Sequence, residues 1–327
     1  MSVAWGLLST ARINERIIEA AQESDRAHVL AVASRDAARA EAYAREHGIE
    51  RSYGGYEALF DDSDVEAVYI SLPNAMHAGW SLRALEAGKH VLCEKPFSRH
   101  PEEAEQAFDH AESAGLVLSE GFMWRHHPQA AKLVELVANG AIGRLRVVRA
   151  AFSFQLAAVH GADDSRFDPD LDGGSLMDVG SYCLSAIRLL AGEPERLQGQ
   201  QVVGPSGVDV SFVAALALPD DRLGHFDCGF VLPSRGELEV VGEEASLFVD
   251  DPFHARSPGI ELRREDRTDR IVVDRANSYR LELENVSDAI GGKAELLLGR
   301  EDAVAQARAI EALYRSADEG KPVILGG

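Results

Sequence analysis

Within the first 120 or so residues, short apolar runs alternate with stretches of helical spacing, and that alternation restricts the fold more than any other feature. Residues 3–8 (VAWGLL) form an apolar run that breaks at Ser9-Thr10-Ala11. Arg12 to Glu23 then place Ile13, Ile17 and Ala20-Ala21 on one face, which predicts a helix. Val29 to Ala33 read as a second buried strand, and 36–47 as an alanine-rich helix ending near Gly48. The pattern repeats with a strand over 65–72 (VEAVYISL), a helix from Ala75 to Ala87, a strand from His90 to Cys93, and a helix from Glu102 to Ala114 closed by Gly115. Strands separated by helices of this length require right-handed crossovers and a parallel sheet. A doubly wound, Rossmann-type dinucleotide-binding domain over residues 1–122 is the expected result.

After Trp124 the texture changes. A helix is expected over 128–139, then a long strand over 145–154 (LRVVRAAFSF), and a Gly-Gly pair at 173 and 174 precedes a helix through Leu190. From about 197 to 275 the strand-like runs VSFVAALAL, GHFDCGFVL, GELEVVG and RIVVD follow one another with little helix between them. A C-terminal α+β domain over 123–327 with a large, mostly antiparallel sheet follows. The helical stretch 301–319 is expected to pack back onto the first domain. Two domains also suit the length, since single cores stop growing at roughly 250–300 residues and this chain has 327.

Charge narrows the partners. Lys plus Arg number 33 against 54 Asp plus Glu, a net charge of −21 that repels nucleic acid and anionic membranes. Cys93, Cys183 and Cys228 lie far apart with no CxxC pair, so no metal site and no disulfide framework is expected, and a reducing compartment fits. The N-terminus has no basic, signal-like leader and no run of eighteen apolar residues occurs, which predicts a soluble cytoplasmic protein. In VSFVAALAL both faces are apolar, which predicts a homodimer or homotetramer joined through the C-terminal sheet.

A dinucleotide turn between the first strand and helix would keep G-x-G-x-x-G, and here those places hold Ser9, Ala11 and Asn14. What a diphosphate needs is backbone N–H groups at a helix N-terminus and small side chains, so Ser9, Thr10, Ala11, Arg12 and Ile13 are candidate cofactor contacts. The second strand ends in Ala33-Ser34-Arg35, where a NAD-selective site would place a carboxylate. A hydroxyl and a guanidinium suit a 2′-phosphate, so Ser34 and Arg35, with Arg39 one helical turn on, favour NADP over NAD.

Residues 88–97 (GKHVLCEKPF) end a short strand in Glu94-Lys95-Pro96, where the proline restrains the backbone and aims the amine of Lys95. A second element lies in the run from Gly173 to Tyr182, where Asp178 and Tyr182 stand four residues apart. Lys95, Asp178 and Tyr182 together can polarise a carbonyl and relay a proton while hydride moves.

With EKP at 94–96, the GG-x-x-x-D-x-G-x-Y run and LPNAMH at 72–77, the chain resembles the glucose-fructose oxidoreductase and inositol dehydrogenase (Gfo/Idh/MocA) family over essentially its whole length. The opening GLLSTARIN, the strand end ASR, FMWRHHP at 122–128 and Tyr182 are similar to its branch of NADP-dependent D-xylose dehydrogenases and dihydrodiol dehydrogenases. The resemblance implies that Lys95 is the acid/base group, that Tyr182 completes the proton path, and that Asp178 orients substrate or lysine. It further implies that Leu72, Pro73, Asn74, His77 and Glu94 line the cofactor, and that Trp124 and Arg125 close the cleft. Hydride transfer between NADP and a sugar, polyol or vicinal diol is the function it implies. The alternatives are an NADP-sensing regulator without turnover and an intramolecular redox enzyme that retains its cofactor. Substrate choice is expected in loops such as 152–167, where His160, Asp163 and Arg166 either bind hydroxyls or simply face solvent.

Overall fold

The computed structural model describes residues 2–325, and the chain divides into two compact units. Of the described residues, the first comprises 2–126 and 277–304, the second 127–276 and 305–325.

In the first unit, strands β1 (Val3–Leu8), β2 (Ala27–Ala33), β3 (Arg51–Tyr53), β4 (Ala67–Ile70), β5 (His90–Glu94) and β6 (Leu118–Gly121) form a parallel sheet of order β3-β2-β1-β4-β5-β6. All six residues of β1 are buried, as a central parallel strand covered on both faces requires. The intervening helices are α1 (Asn14–Gln22), α2 (Ala37–His47), α3 (Tyr56–Phe60), α4 (His77–Glu86) and α5 (Pro101–Ala114). Sequence explains their ends: Asp36 caps α2 through Ala38 and Arg39 N–H, Pro101 opens α5, and Gly48 and Gly115 close α2 and α5 in the left-handed conformation.

The second unit begins with α6 (Pro128–Ala138), β7 (Leu145–Gln155), α7 (Leu156–His160) and α8 (Ser181–Ala191). Strands β8 (Arg196–Val203), β9 (Asp209–Leu218), β10 (Arg222–Gly229), β11 (Val231–Gly242), β12 (Ser246–Asp250), β13 (Gly259–Arg263) and β14 (Thr268–Val272) follow. Next come α9 (Ser278–Ile290), α10 (Arg300–Glu319) and β15 (Val323–Ile324), of which α9 belongs to the first unit. The second sheet runs β14-β13-β12-β11-β7-β10-β9-β8-β15 and is antiparallel except where β10 lies parallel to β7. Helix α8 covers one face: a methyl on Gly224 of β10 would stand 2.7 Å from Ile187.

The single boundary expected at 122 is replaced by a double crossing. Residues 277–304 return to the first unit because α9 contributes Leu283 and Val286 to the core built by Trp5, Leu7, Ile17 and Tyr69. The last helix, expected to lie on the first domain, belongs to that unit only as far as Val304 and then continues in the second. There the Tyr314 hydroxyl donates to Asp209 at 2.8 Å, and Gly199 of β8 donates its N–H to Ser316 at 3.0 Å.

Candidate active site

In the first unit the candidate residues gather at the carboxyl ends of β1, β2, β4 and β5, where an open parallel sheet receives its ligand. Ser9 occupies the first glycine position with φ of +114°, a left-handed backbone that costs a residue with a Cβ about 1–3 kcal/mol. The turn is locked from within. Ser9 Oγ accepts from Ala11 N–H at 3.1 Å and meets Ser71 Oγ at 2.9 Å, while buried Asn14 donates to Ser9 O at 2.8 Å. Asn14, which stands where the last glycine of a fingerprint would be, is therefore part of the turn's construction.

At the end of β2, Ser34 Oγ accepts from Asp36 N–H at 3.3 Å, and Asp36 spends its carboxylate on the cap of α2 at 2.9 and 3.2 Å. Both cap bonds fall on one oxygen of Asp36, Oδ1, and the residue is exposed. Arg35 and Arg39 are exposed beside the phenol of Tyr56, whose pKa burial raises and these two cations pull back.

The loop carrying Leu72, Pro73 and Asn74 is tied to the Lys95 turn by His77. Its Nδ1 lies 2.8 Å from Pro96 O and its Nε2 2.7 Å from Leu72 O, and the ring is 1 % exposed. Burial pushes the imidazole below its ordinary value, against the two carbonyls that favour its charged form. His77 is thus a buried brace between the two segments. The Lys95-Pro96 peptide is cis. Glu94 accepts from the Tyr69 hydroxyl and, at 3.3 Å, from Lys95 N–H, so its carboxylate is anchored beneath the turn.

Trp124 and Arg125, expected to close the cleft, lie in a short 3₁₀ turn after β6. The indole is 1 % exposed within the first unit, and Arg125 pairs with Asp302 at 3.4 Å.

In the second unit the Gly-Gly pair answers a steric demand. A Cβ on Gly173 would stand 2.5 Å from Arg166 O, and one on Gly174, at φ +127°, 2.2 Å from Asp209 Oδ1. Asp209 is the anchor: its carboxylate accepts from Ser175 Oγ at 2.6 Å, Leu176 N–H at 2.8 Å and Tyr314 OH at 2.8 Å. Burial pushes that carboxyl up, against the donors that pull it down. From this anchor the chain enters a π turn over Leu176–Gly180, where Ser181 N–H reaches back five residues to Leu176 O, and then α8. Such turns concentrate at functional sites, and this one carries Asp178 and leads directly into Tyr182.

Arg166 holds Asp178. Its guanidinium donates to both oxygens of Asp164 at 2.8 and 3.0 Å and to Asp178 Oδ2 at 3.1 Å. Burial would push the Asp164 carboxyl up, but the hydrogen bonds and charge of Arg166 outweigh it and hold the group below its usual range. The ring of Tyr182 packs against Phe152 at 5.6 Å and Phe253 at 5.4 Å, with His254 edge-on to Phe152 at 5.5 Å. His160 rests against Phe154 at 6.3 Å, and Asp163 is exposed. Asp164, Asp209, Phe253 and His254 went unread in the sequence, where no motif marks them.

Known proteins resemble this chain in sequence and in fold. The model described as oxidoreductase family, NAD-binding Rossmann fold, matches residues 4–122, and the GFO/IDH/MocA C-terminal domain matches 130–248. The chain is 38% identical over 326 residues to D-xylose 1-dehydrogenase (NADP(+)) 2 of Haloferax volcanii, covering 98% of this chain and 99% of the relative. It is 34% identical over 256 residues to trans-1,2-dihydrobenzene-1,2-diol dehydrogenase of Bos taurus, covering 77% and 75%. Among solved structures, a 3-ketoreductase from Actinomadura kijaniata in complex with NADP and TDP-benzene superposes with a TM-score of 0.91 at 28% identity, covering 97% of this chain and 98% of that one. An aldose-aldose oxidoreductase from Caulobacter crescentus complexed with glycerol gives a TM-score of 0.91 at 26% identity, covering 99% and 100%. The chain belongs to the Gfo/Idh/MocA family of oxidoreductases.

Proposed function

We propose that the chain transfers hydride reversibly between NADP and the carbinol or carbonyl carbon of a sugar, polyol or vicinal diol, with Lys95 as acid/base, Tyr182 completing the proton path and Asp178 orienting the substrate or the lysine. The observation that carries this reading is the Lys95 turn, which β5 presents on a dinucleotide fold and which His77 and Glu94 anchor on either side.

NADP fits the residues that would hold it. Ser34, Arg35 and Arg39 offer a hydroxyl and two guanidinium groups to a 2′-phosphate, and one oxygen of Asp36 is engaged in the helix cap. The amides of the Ser9–Ile13 turn suit a diphosphate, and Pro73 and Asn74 stand beside the Lys95 turn through their shared brace. Bound there, the nicotinamide supplies the hydride acceptor or donor. The protein's own work is proton transfer: in the oxidative direction Lys95 takes the substrate hydroxyl proton, directly or by way of the Tyr182 phenol. Asp178, gripped by Arg166, is an acceptor for a substrate hydroxyl. Relatives named as an NADP-dependent D-xylose dehydrogenase and dihydrodiol dehydrogenases support this substrate range.

Two further parts of the reading concern the whole protein. A homodimer or homotetramer forms through the outer face of the second sheet, where Val213 and Leu223 are 47 % and 55 % exposed. The cytoplasm suits three buried, free cysteines, and no helix among the described residues is long and apolar enough to cross a membrane.

Following NADPH absorbance across a panel of sugars and diols tests the reading. Lys95→Ala should lower turnover by about 10²–10⁴-fold, the usual worth of a positioned acid/base, while NADPH affinity changes little. An unchanged rate on the best substrate would remove Lys95 from the mechanism.

A further inference from the structure

We propose that Asn14 and Ser71 are positioning residues for the cofactor's diphosphate, holding with side chains the turn that glycines hold in other dinucleotide folds. The inference rests on the NADP reading above. It starts from a local conflict, since Ser9 adopts φ of +114°, which glycine takes freely and a residue with a Cβ resists.

What overrules that resistance is a closed circuit of hydrogen bonds. Ala11 N–H donates to Ser9 Oγ at 3.1 Å. Ser9 Oγ and Ser71 Oγ are 2.9 Å apart, and Ser71 Oγ donates to Asn14 Oδ1 at 2.6 Å. Asn14 Nδ2 returns to Ser9 O at 2.8 Å. One proton order satisfies every member: the amide gives to Ser9, Ser9 to Ser71, Ser71 to Asn14, and Asn14 to the Ser9 carbonyl. Each hydroxyl donates once and accepts once, as its chemistry permits. Ser71 and Asn14 are 7 % and 0 % exposed, so water does not compete for these groups.

The circuit acts on the cofactor through the peptide that joins Ser9 to Thr10. A trans peptide is planar, so its C=O and N–H point in opposite directions. Asn14 draws the Ser9 carbonyl inward, and the same plane then turns the Thr10 N–H outward, toward the place where a diphosphate approaches a helix N-terminus. Ser71 follows the end of β4, so the register of that strand is transmitted to the turn after β1.

The test uses the full chain and two ligands, NADPH followed by fluorescence and 2′-AMP by calorimetry, since 2′-AMP carries the 2′-phosphate and no diphosphate. Asn14→Ala and the milder Ser71→Ala should each weaken NADPH binding on the order of tenfold, the worth of one or two buried hydrogen bonds. Binding of 2′-AMP should stay within about twofold, as its contacts do not include this turn. Adding Ser9→Gly to Asn14→Ala should recover a part of the lost affinity, because glycine takes the positive φ without the circuit. NADPH binding unchanged in both single variants would overturn the proposal, as would equal losses for the two ligands. A wild-type chain that binds neither ligand would overturn the cofactor reading instead.

Discussion

Arg166 engages two carboxylates twelve and two residues away in sequence, and the fate of Asp178 depends on that choice. Three of its nitrogens donate, two of them to Asp164 and the third to Asp178, with side-chain exposures of 25, 17 and 15 %. Replacing Arg166 by methionine leaves two carboxylates without their shared cation, and Asp178 then loses its fixed direction. Turnover should fall by about tenfold or more, the 1.5–3 kcal/mol typical of a hydrogen bond to a charged group, with a smaller change in KM. Arg166→Lys should recover only part of the loss, since a single ammonium cannot reproduce a planar fork spanning two partners. Steady-state kinetics on the three proteins decide it, and equal kcat values would leave Arg166 with a merely structural part. Lys95, Asp178 and Tyr182 stand out in the sequence because short motifs mark them. The pairing of Arg166 with Asp178 does not, since it depends on how a loop of irregular turns folds back upon a Gly-Gly pair. His77 shows the opposite difficulty: its motif is visible, but only its two carbonyl partners reveal a brace.

At the scale of elements, periodicity locates β1, β2, β4, β5 and most of α2, α4 and α5 to within a few residues, because each strand is an apolar run and each helix a regular pattern bounded by a turn or cap. β3 (Arg51–Tyr53) and β6 (Leu118–Gly121) are short and polar in sequence, so no apolar run marks them. Helix α9 escapes for another reason, as its apolar residues are interleaved with charges and one of those charges is inside. Glu282 is 0 % exposed, and neither carboxylate oxygen has a hydrogen-bond partner among the described residues. Burial pushes its carboxyl well above the ordinary range, and the neighbouring charge of Glu94 adds to the shift. A carboxyl whose folded pKa is raised contributes stability below its unfolded value, and that contribution is lost as pH rises through the folded value. Glu282→Gln removes the titration while keeping the shape. The variant should therefore melt higher than the wild type at pH 8, and the gap should shrink toward pH 5. Melting curves at the two pH values check the sign, and a gap that grows on acidification would contradict it.

For the whole molecule, the consequential feature is the face of the second sheet that α8 does not cover. Along β9 the residues Phe212, Ala214, Leu216 and Leu218 point inward and are buried, which turns Val213 and Ala215 outward. On β10 the same alternation turns Leu223 and His225 outward. This sidedness follows from the period of two in a strand, and the sequence already shows it, because apolar residues occupy both phases of VSFVAALAL. A sheet with one face in water would carry polar residues in the outward phase, and the flanking Arg149–Glu239 pair shows that such residues occur nearby but do not fill the centre. A net charge of −21 opposes association at long range, so joining two copies has to rely on apolar burial at short range. The wild-type chain should then sediment as a dimer or tetramer at micromolar concentration, with higher salt favouring the assembly. Leu223→Glu places a carboxylate in the centre of that face, on a strand whose inward residues are untouched. It should give a monomer with its fold intact, as judged by circular dichroism. If the variant sediments like the wild type, the copies meet elsewhere, and if the wild type is itself monomeric, the outward valine and leucine serve some purpose other than self-association.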